Sequence, residues 1–338
     1  MFFNVLEVLV MHVCRRMRTN VYCTLAVRGV TRISTLDLEK HVPFEQITQY
    51  SSVRSLRKIA FDRILLERSV GQGVTAHVYQ AVLDGHYQVA VKQINDVDKS
   101  EKDLRAFERE VAVLMRTCHE NLVRFLGISS IQRPFRIITE YCAGGCVFSL
   151  LHNQEMLLAW PQKLRILLDV AKAMQYLHEF NPQVIHRDLK SLNLLLTNPV
   201  KTTLDTPYTK VSDFGLARIK WQAEAGSTWP QMTRAAGTCH WMAPEVFVSD
   251  TYDEKVDLYS YAMILFEVLC QEIPFEDQNP ADIGHLCVKG CRPDLASVPD
   301  ECPEVLVQLM QTCWAGTPAK RPPFSEILPI LEQVEIPQ

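Results

Sequence analysis

The sequence predicts an α+β protein in two lobes, a small antiparallel β-sheet carrying one helix and a larger, mainly helical lobe. Three observations lead there. First, short apolar or alternating runs, Ile64-Leu65-Leu66, Val78-Tyr79-Gln80-Ala81-Val82 and Gln88-Val89-Ala90-Val91-Lys92, are separated by Gly-containing turns and read as strands of one sheet. Second, residues 101–117 place Leu104, Phe107, Val111 and Leu114 at helical spacing with charges between them, which predicts one amphipathic helix packed on that sheet. Third, beyond Tyr141-Cys142-Ala143-Gly144-Gly145 the pattern turns helical, with Leu164, Leu167, Leu168, Ala171, Met174 and Leu177 on one face. The glycine pair marks the connection between the lobes.

Val256 to Leu269 and Val305 to Trp314 are further helical candidates, and Pro318, Pro322 and Pro323 punctuate the chain before a last short helix near Ser325 to Val334. No internal repeat is visible. Residues 1–60 carry no chemical motif and read as an N-terminal extension of unknown role. The domain is expected over 61–335, with a first lobe at 61–140 and a second at 143–335.

Composition narrows the function classes. Over 338 residues, 47% are apolar and 22% charged, the balance of a globular protein with a substantial core. A net charge of -4 and an isoelectric point near 6.2 give no overall pull toward nucleic acid or anionic lipid. The 11 Cys form no paired Cys-x-x-Cys ligand sets, so reduced thiols are expected; Cys287 and Cys291 have no second pair nearby for a metal. The start, Met1 to Cys14, is apolar but interrupted by Asn4, Glu7 and His12, and too short to span a bilayer. Its positive charges, Arg15, Arg16 and Arg18, follow the apolar run, the reverse of a signal peptide. It reads as an amphipathic or buried helix rather than a membrane anchor.

The chemistry concentrates in Val184-Ile185-His186-Arg187-Asp188-Leu189-Lys190-Ser191-Leu192-Asn193, followed twenty positions later by Asp213-Phe214-Gly215. A carboxylate at Asp188 can orient a hydroxyl and accept its proton, Lys190 can neutralise charge on a moving phosphoryl group, and Asn193 with Asp213 can hold magnesium. Either tripeptide alone is common; in this order and spacing they point to phosphoryl transfer. Val70-Gly71-Gln72-Gly73-Val74-Thr75-Ala76-His77-Val78 lies between two predicted strands, where glycines let backbone N–H groups approach phosphates. By itself it reads equally as a hairpin turn, and Ala76 stands where a third glycine would complete the pattern. Lys92 ends a Val-Ala-Val-Lys strand, and Glu110, eighteen residues on, lies in the predicted helix. Alone they would be a solvated pair; in this order they read as an ion pair that positions phosphates.

With these motifs the chain resembles the eukaryotic protein kinase family over roughly residues 64 to 333. Gly237-Thr238-Cys239-His240-Trp241-Met242-Ala243-Pro244-Glu245 resembles the end of a kinase activation segment, and Asp257-Leu258-Tyr259-Ser260-Tyr261-Ala262 the helix whose Asp anchors the catalytic-loop backbone. Arg321 is placed like the family arginine that pairs with the Ala-Pro-Glu glutamate, here Glu245. The resemblance implies a two-lobed protein kinase fold, ATP and Mg2+ as cofactors, Asp188 and Lys190 as catalytic residues, and Asn193 and Asp213 as metal ligands. It implies nucleotide contacts from Val70, Gly71, Gly73, Val78, Ala90, Lys92, Glu110, Thr139, Glu140, Cys142 and Leu195, with Thr139 as the gatekeeper. It also implies a column of Leu114, Phe125, His186 and Phe214 in the active state.

Lys190 two residues after Asp188, and Thr238 five before Ala-Pro-Glu, resemble serine/threonine-directed kinases. Trp-Met-Ala-Pro-Glu, Cys313-Trp314 and the long Thr197 to Thr209 stretch are similar to the tyrosine-kinase-like group of Raf-type and mixed-lineage kinases. The implied partners are proteins with Ser or Thr acceptors, with an upstream activating kinase or autophosphorylation acting on Ser227, Thr228 or Thr233 beside Arg187. Cytoplasmic signal transduction follows from the need for ATP; nucleic acid and membrane association are not expected. Rival readings are a pseudokinase scaffold, a tyrosine or dual-specificity kinase, and a small-molecule phosphotransferase.

Overall fold

The computed structural model describes residues 58–73, 76–94, 101–129, 134–153, 155–220, 239–249 and 252–337. They divide into two compact units. The first includes the described residues up to Arg116 together with Phe125–Glu140, and the second Thr117–Arg124 with Tyr141 onward.

The first unit is built on a five-stranded antiparallel sheet in the order β1-β2-β3-β5-β4. Its strands are β1 (Ile64–Gln72), β2 (Ala76–Leu83), β3 (Tyr87–Ile94), β4 (Phe125–Ile128) and β5 (Arg136–Glu140). One face buries Ile64, Ala81, Leu83, Val89, Val91 and Ile138, joined by Ile59 from the segment before the sheet. That segment is held by the Ile59 N–H, which donates to the Ile128 carbonyl at 2.8 Å, so the packed unit begins before residue 61. Helix α1 (Glu101–Arg116) buries Phe107, Val111 and Leu114, as its spacing predicts, and the Phe107 ring stacks on Phe135 at 5.0 Å. The strands extend further into the glycine-rich segment than the apolar runs of the sequence suggest. Gly71 and Gln72 pair with Val78 and His77 of β2, Val70 falls at a bulge between Ser69 and Gly71, and the turn closes through the Gly73 N–H donating to the Ala76 carbonyl at 2.8 Å.

The second unit is mainly helical: α2 (Val147–Leu151), α3 (Trp160–Glu179), α4 (Glu245–Val248), α5 (Lys255–Cys270), α6 (Pro280–Val288), α7 (Glu304–Cys313) and α8 (Phe324–Glu332). Two small ribbons, β6 (Gln183–Ile185) with β9 (Arg218–Lys220) and β7 (Leu194–Leu196) with β8 (Thr209–Val211), carry the motif segments. Helix α5 is apolar all round and buried from Val256 to Leu269, the signature of a central helix. Helix α3 packs on α5, α8, β6 and β8 and is therefore buried on more than the one predicted face. Ile166, Val170 and Ala173 are buried there, whereas Leu164 and Leu168 are half-exposed.

Within 61–140 the chain makes one excursion. Residues 117–124 belong with the second unit, because the Val211 N–H donates to the Asn121 carbonyl at 2.8 Å and the Val123 N–H to the Val211 carbonyl at 3.0 Å. The connection 197–208 between β7 and β8 is clamped on α3 by Gln162, whose amide donates to the carbonyls of Thr202 and Asp205 at 2.9 and 2.7 Å.

Two structural ties have direct consequences. Gly144 donates its N–H to the Leu196 carbonyl at 2.9 Å, and a Cβ there would stand 2.6 Å from Leu196 Cβ and against the Asn198 carbonyl. Gly144→Ala should therefore cost about 1–3 kcal/mol of stability in urea unfolding, because backbone has to move. Arg321, 1% exposed, forms two parallel bonds to Glu245 at 2.6 and 2.9 Å and donates to the carbonyls of Ala315 and Lys255. Glu245→Ala leaves that guanidinium without its carboxylate and should lower unfolding stability by about 3–5 kcal/mol, while Glu245→Ala with Arg321→Met should lose less.

Candidate active site

In the first unit, residues directly opposite on neighbouring strands share a face. Val78 lies opposite Gly71 and Lys92, and Ala90 opposite Thr139. Ala90 and Lys92 are two apart on β3, so Val78, Ala90, Lys92 and Thr139 stand on one face while Val89 and Val91 enter the core on the other. Lys92 Nζ donates to both oxygens of Glu110 at 2.9 Å, tying β3 to α1. Glu110 is buried, so this is not the solvated surface pair that isolated residues would form. Val70 is exposed on β1, and the Thr139 hydroxyl donates to the Glu140 carbonyl at 3.2 Å.

In the second unit, a short helical turn, Ser191–Asn193, follows Asp188 and Lys190. Lys190 Nζ reaches both Asp188 oxygens at 3.1 and 2.8 Å. Asn193 Nδ2 donates to the Asp188 carbonyl at 2.8 Å and to its carboxylate at 3.0 Å. Burial pushes the Asp188 carboxyl up; Lys190 opposes this and Asp213 adds to it. Asp213 is exposed and has a positive φ of 62°, while the next side chain, Phe214, is fully buried against the His186 ring at 5.3 Å. The Ser212 N–H and hydroxyl donate to the Asn193 carbonyl at 2.9 and 2.8 Å, which joins the two motif segments.

Asp257, at the start of α5, holds the loop from beneath. Its two oxygens accept the backbone N–H groups of His186 and Arg187, each at 2.8 Å, and His178 Nε2 lies 2.9 Å away. Burial alone would raise this carboxyl, but His178, His186 and the Arg187 N–H hold it below its usual range. Arg187 adopts φ 71°, the left-handed region that side chains disfavour, so these bonds fix a strained residue next to Asp188. The Arg187 side chain is buried, bonds Tyr252 Oη and the Leu216 carbonyl, and leaves Nε without a partner among the described residues.

Leu195 lies on β7, bridged to Cys146, and Cys142 is buried just before the Gly144 contact. Among the described residues, no group of three or more His, Cys, Asp or Glu is gathered for a metal. A magnesium ion needs no such group, since one or two carboxylates with substrate phosphate oxygens suffice. Asn193 spends its amide nitrogen on Asp188, which leaves Oδ1 as an oxygen donor; with the Asp213 carboxylate it makes a donor set that suits a hard cation.

A family model described as protein tyrosine and serine/threonine kinase matches residues 64–331. The chain belongs to that family. Among its relatives, the RGS domain-containing serine/threonine-protein kinase A of Dictyostelium discoideum is 34% identical over 280 residues, covering 83% of this chain and 23% of that protein. Serine/threonine-protein kinase STY17 of Arabidopsis thaliana is 34% identical over 279 residues, 82% of this chain and 45% of that protein. Dual specificity protein kinase splA of Dictyostelium discoideum is 35% identical over 299 residues, 84% of this chain and 12% of that protein. The chain thus spans less than half the length of each. Protein kinases generally use ATP and Mg2+, and the five-stranded sheet with a helical second unit is their fold.

The proposed phosphorylation residues Ser227, Thr228 and Thr233, and Thr238, lie outside the described residues. Sequence reasoning missed Glu267, His152, Ser191 and Trp241, which form one buried hydrogen-bonded group. The signal was a lone acid in an apolar run, since a buried carboxylate needs partners.

The Asp188 environment yields a signed pH prediction. Its raised carboxyl costs stability at pH values above its folded pKa, and the cost vanishes below the unfolded value of 3.8. Asp188→Asn should raise the thermal midpoint at neutral pH, with the gain shrinking as pH falls toward 3.8.

Proposed function

We propose that the chain transfers the γ-phosphoryl group of ATP to Ser or Thr hydroxyls of proteins, with Mg2+ bound by Asn193 and Asp213. The observation that carries this reading is Asp188, a largely but not fully buried carboxylate gripped by Lys190 Nζ and Asn193 Nδ2, with the Asp213 charge near enough to raise it further. Asp188 orients the acceptor hydroxyl and takes its proton, a task suited to a carboxylate held above its usual range. Lys190, bonded to Asp188, offsets charge on the transferring group. When bound, the metal neutralises phosphate charge. In the first unit, Lys92 is aimed by Glu110 to bind phosphates, Gly71 and Gly73 give backbone access, and Val70, Val78 and Ala90 offer apolar contacts to the base. Thr139 serves as gatekeeper and the backbone of Glu140 bonds the base edge; in the second unit, Cys142 and Leu195 are the residues proposed to contact the nucleotide. Catalysis in this arrangement is mostly positioning and electrostatics.

Ser/Thr direction is supported by Lys190 two residues after Asp188 and by the printed names of two relatives. The dual-specificity name of a third keeps tyrosine as a second reading. Assignment to the tyrosine-kinase-like group is supported by Cys313-Trp314 and the long 197–208 connection. Arg187, buried beside Asp188 with an unpartnered Nε, supports regulation by a phosphate on the activation segment. The domain bounds 61–335, an accessory role for residues 1–60, and a cytoplasmic signalling setting belong to the same proposal. No helix among the described residues is long and apolar enough to cross a membrane.

The decisive assay is transfer of labelled γ-phosphate from Mg-ATP to a generic protein, with Asp188→Ala alongside. Phosphoserine or phosphothreonine that drops by at least about a thousandfold in the variant is expected. Phosphotyrosine as the main product would shift the acceptor class. Equal silence of both proteins while ATP still binds would favour a scaffold.

A further inference from the structure

Ten residues beyond Asp257 on the same helix, Glu267 is fully buried and accepts three side-chain hydrogen bonds from three separate segments. Oε1 accepts the Ser191 hydroxyl at 2.6 Å and lies 2.9 Å from His152 Nε2; Oε2 accepts the Trp241 indole N–H at 2.9 Å. Ser191 opens the turn that carries Asn193. Trp241 closes the turn Cys239–Trp241 that leads into Ala243-Pro244-Glu245, and Ser260 on α5 donates to its carbonyl at 2.8 Å. His152 caps α2 and is the member with an outlet to solvent, its side chain 19% exposed. Phe148 fills the space beside His152 and Trp241, with ring centroids 4.4 and 6.5 Å away.

We propose that Glu267 is a positioning residue that locks the Asn193-bearing turn to the Trp241 turn, and that His152 is the titratable member through which pH reaches this lock. Its effect on turnover rests on the kinase reading above.

The donor count explains why a carboxylate is required. An indole N–H can only donate, and a protonated imidazole can only donate. A carboxylate accepts from both and from serine, in either state of His152. A glutamine can satisfy Trp241 with its carbonyl only by turning its NH2 toward Ser191 and His152. Ser191 can accept, but His152 can accept only while neutral. Other ionisable groups on the packed elements are engaged elsewhere or exposed. Lys190 pairs with Asp188, Lys163 donates to the Leu269 carbonyl, and His240 bonds the Pro274 carbonyl. Cys270 is pushed up to about 12 by burial, and Glu155 and Glu272 are exposed.

The test compares the full chain as wild type, Glu267→Gln, His152→Gln and the double variant. Steady-state kcat and KM would be measured over the range where imidazoles titrate, and thermal midpoints followed in parallel. The expected result is a roughly tenfold lower kcat for Glu267→Gln at neutral pH, the ratio to wild type deepening on the acid side, and that extra acid-side loss absent when the double variant is compared with His152→Gln. A second readout does not depend on activity or on that variant folding. The Trp241 indole N–H resonance, assigned with Trp241→Phe, should move with pH in wild type and stay fixed in His152→Gln. Unchanged kcat and pH profile in Glu267→Gln would overturn the proposal. So would a pH-independent loss matched by a fallen thermal midpoint, or an indole titration that persists in His152→Gln. If wild type shows no Asp188-dependent transfer, the kinase reading fails and the indole titration alone decides the lock.

Discussion

The arrangement of the second unit depends on Asp257, a carboxylate with no exposed surface that accepts two consecutive backbone N–H groups from the segment before Asp188. Two adjacent N–H groups point the same way only when the backbone is bent, and the positive φ of Arg187 is that bend. Each of those N–H groups left unsatisfied in the interior would cost about 1–3 kcal/mol. The bonds therefore supply what the bend consumes, and the strained conformation is the stable one. His178 completes the set by holding the carboxylate ionised against the pull of burial.

Helix α5 carries this further because it presents a second buried carboxylate, Glu267, about 15 Å along its axis. The two acids grip the same loop at both ends, Asp257 at residues 186 and 187 and Glu267 at Ser191. What lies between is Asp188-Leu189-Lys190. The residues proposed to carry the chemistry are thus held from both sides, and Asp188 can remain in an environment that disfavours its charge.

Much of this was legible in the sequence where local pattern and local structure coincide. The α1 spacing of Phe107, Val111 and Leu114, the β3 run ending at Lys92 and the apolar length of α5 all predict elements that form. Residues gathered within one short segment, Asp188, Lys190 and Asn193, were found for the same reason. Contacts that close over long separations were not readable from spacing: Glu267 with His152 spans 115 residues and Asn121 with Thr209 spans 88. The Asn121 contact draws residues 117–124 into the second unit, where the sequence suggested an unbroken lobe. In the glycine-rich segment the strands run further than the apolar runs suggest. Glycine permits a loop but does not forbid pairing, and β2 offers hydrogen-bond partners as far as Gln72.

Buried charge separates the parts of the second unit by role. Arg321 with Glu245, Asp257 with His178, and Glu267 with its three donors each have their polar atoms met within the protein. Pairs of this kind add little net stability over apolar packing, but they allow a single arrangement, because any slip strands a charge. Arg187 is the exception. Its guanidinium is buried on Tyr252 and the Leu216 carbonyl, its Nε is unmet among the described residues, and it neighbours Asp188, a carboxyl that burial pushes up. A cation left in that condition suits the anion-responsive role proposed for it above, because its unsatisfied N–H could donate to an added anion.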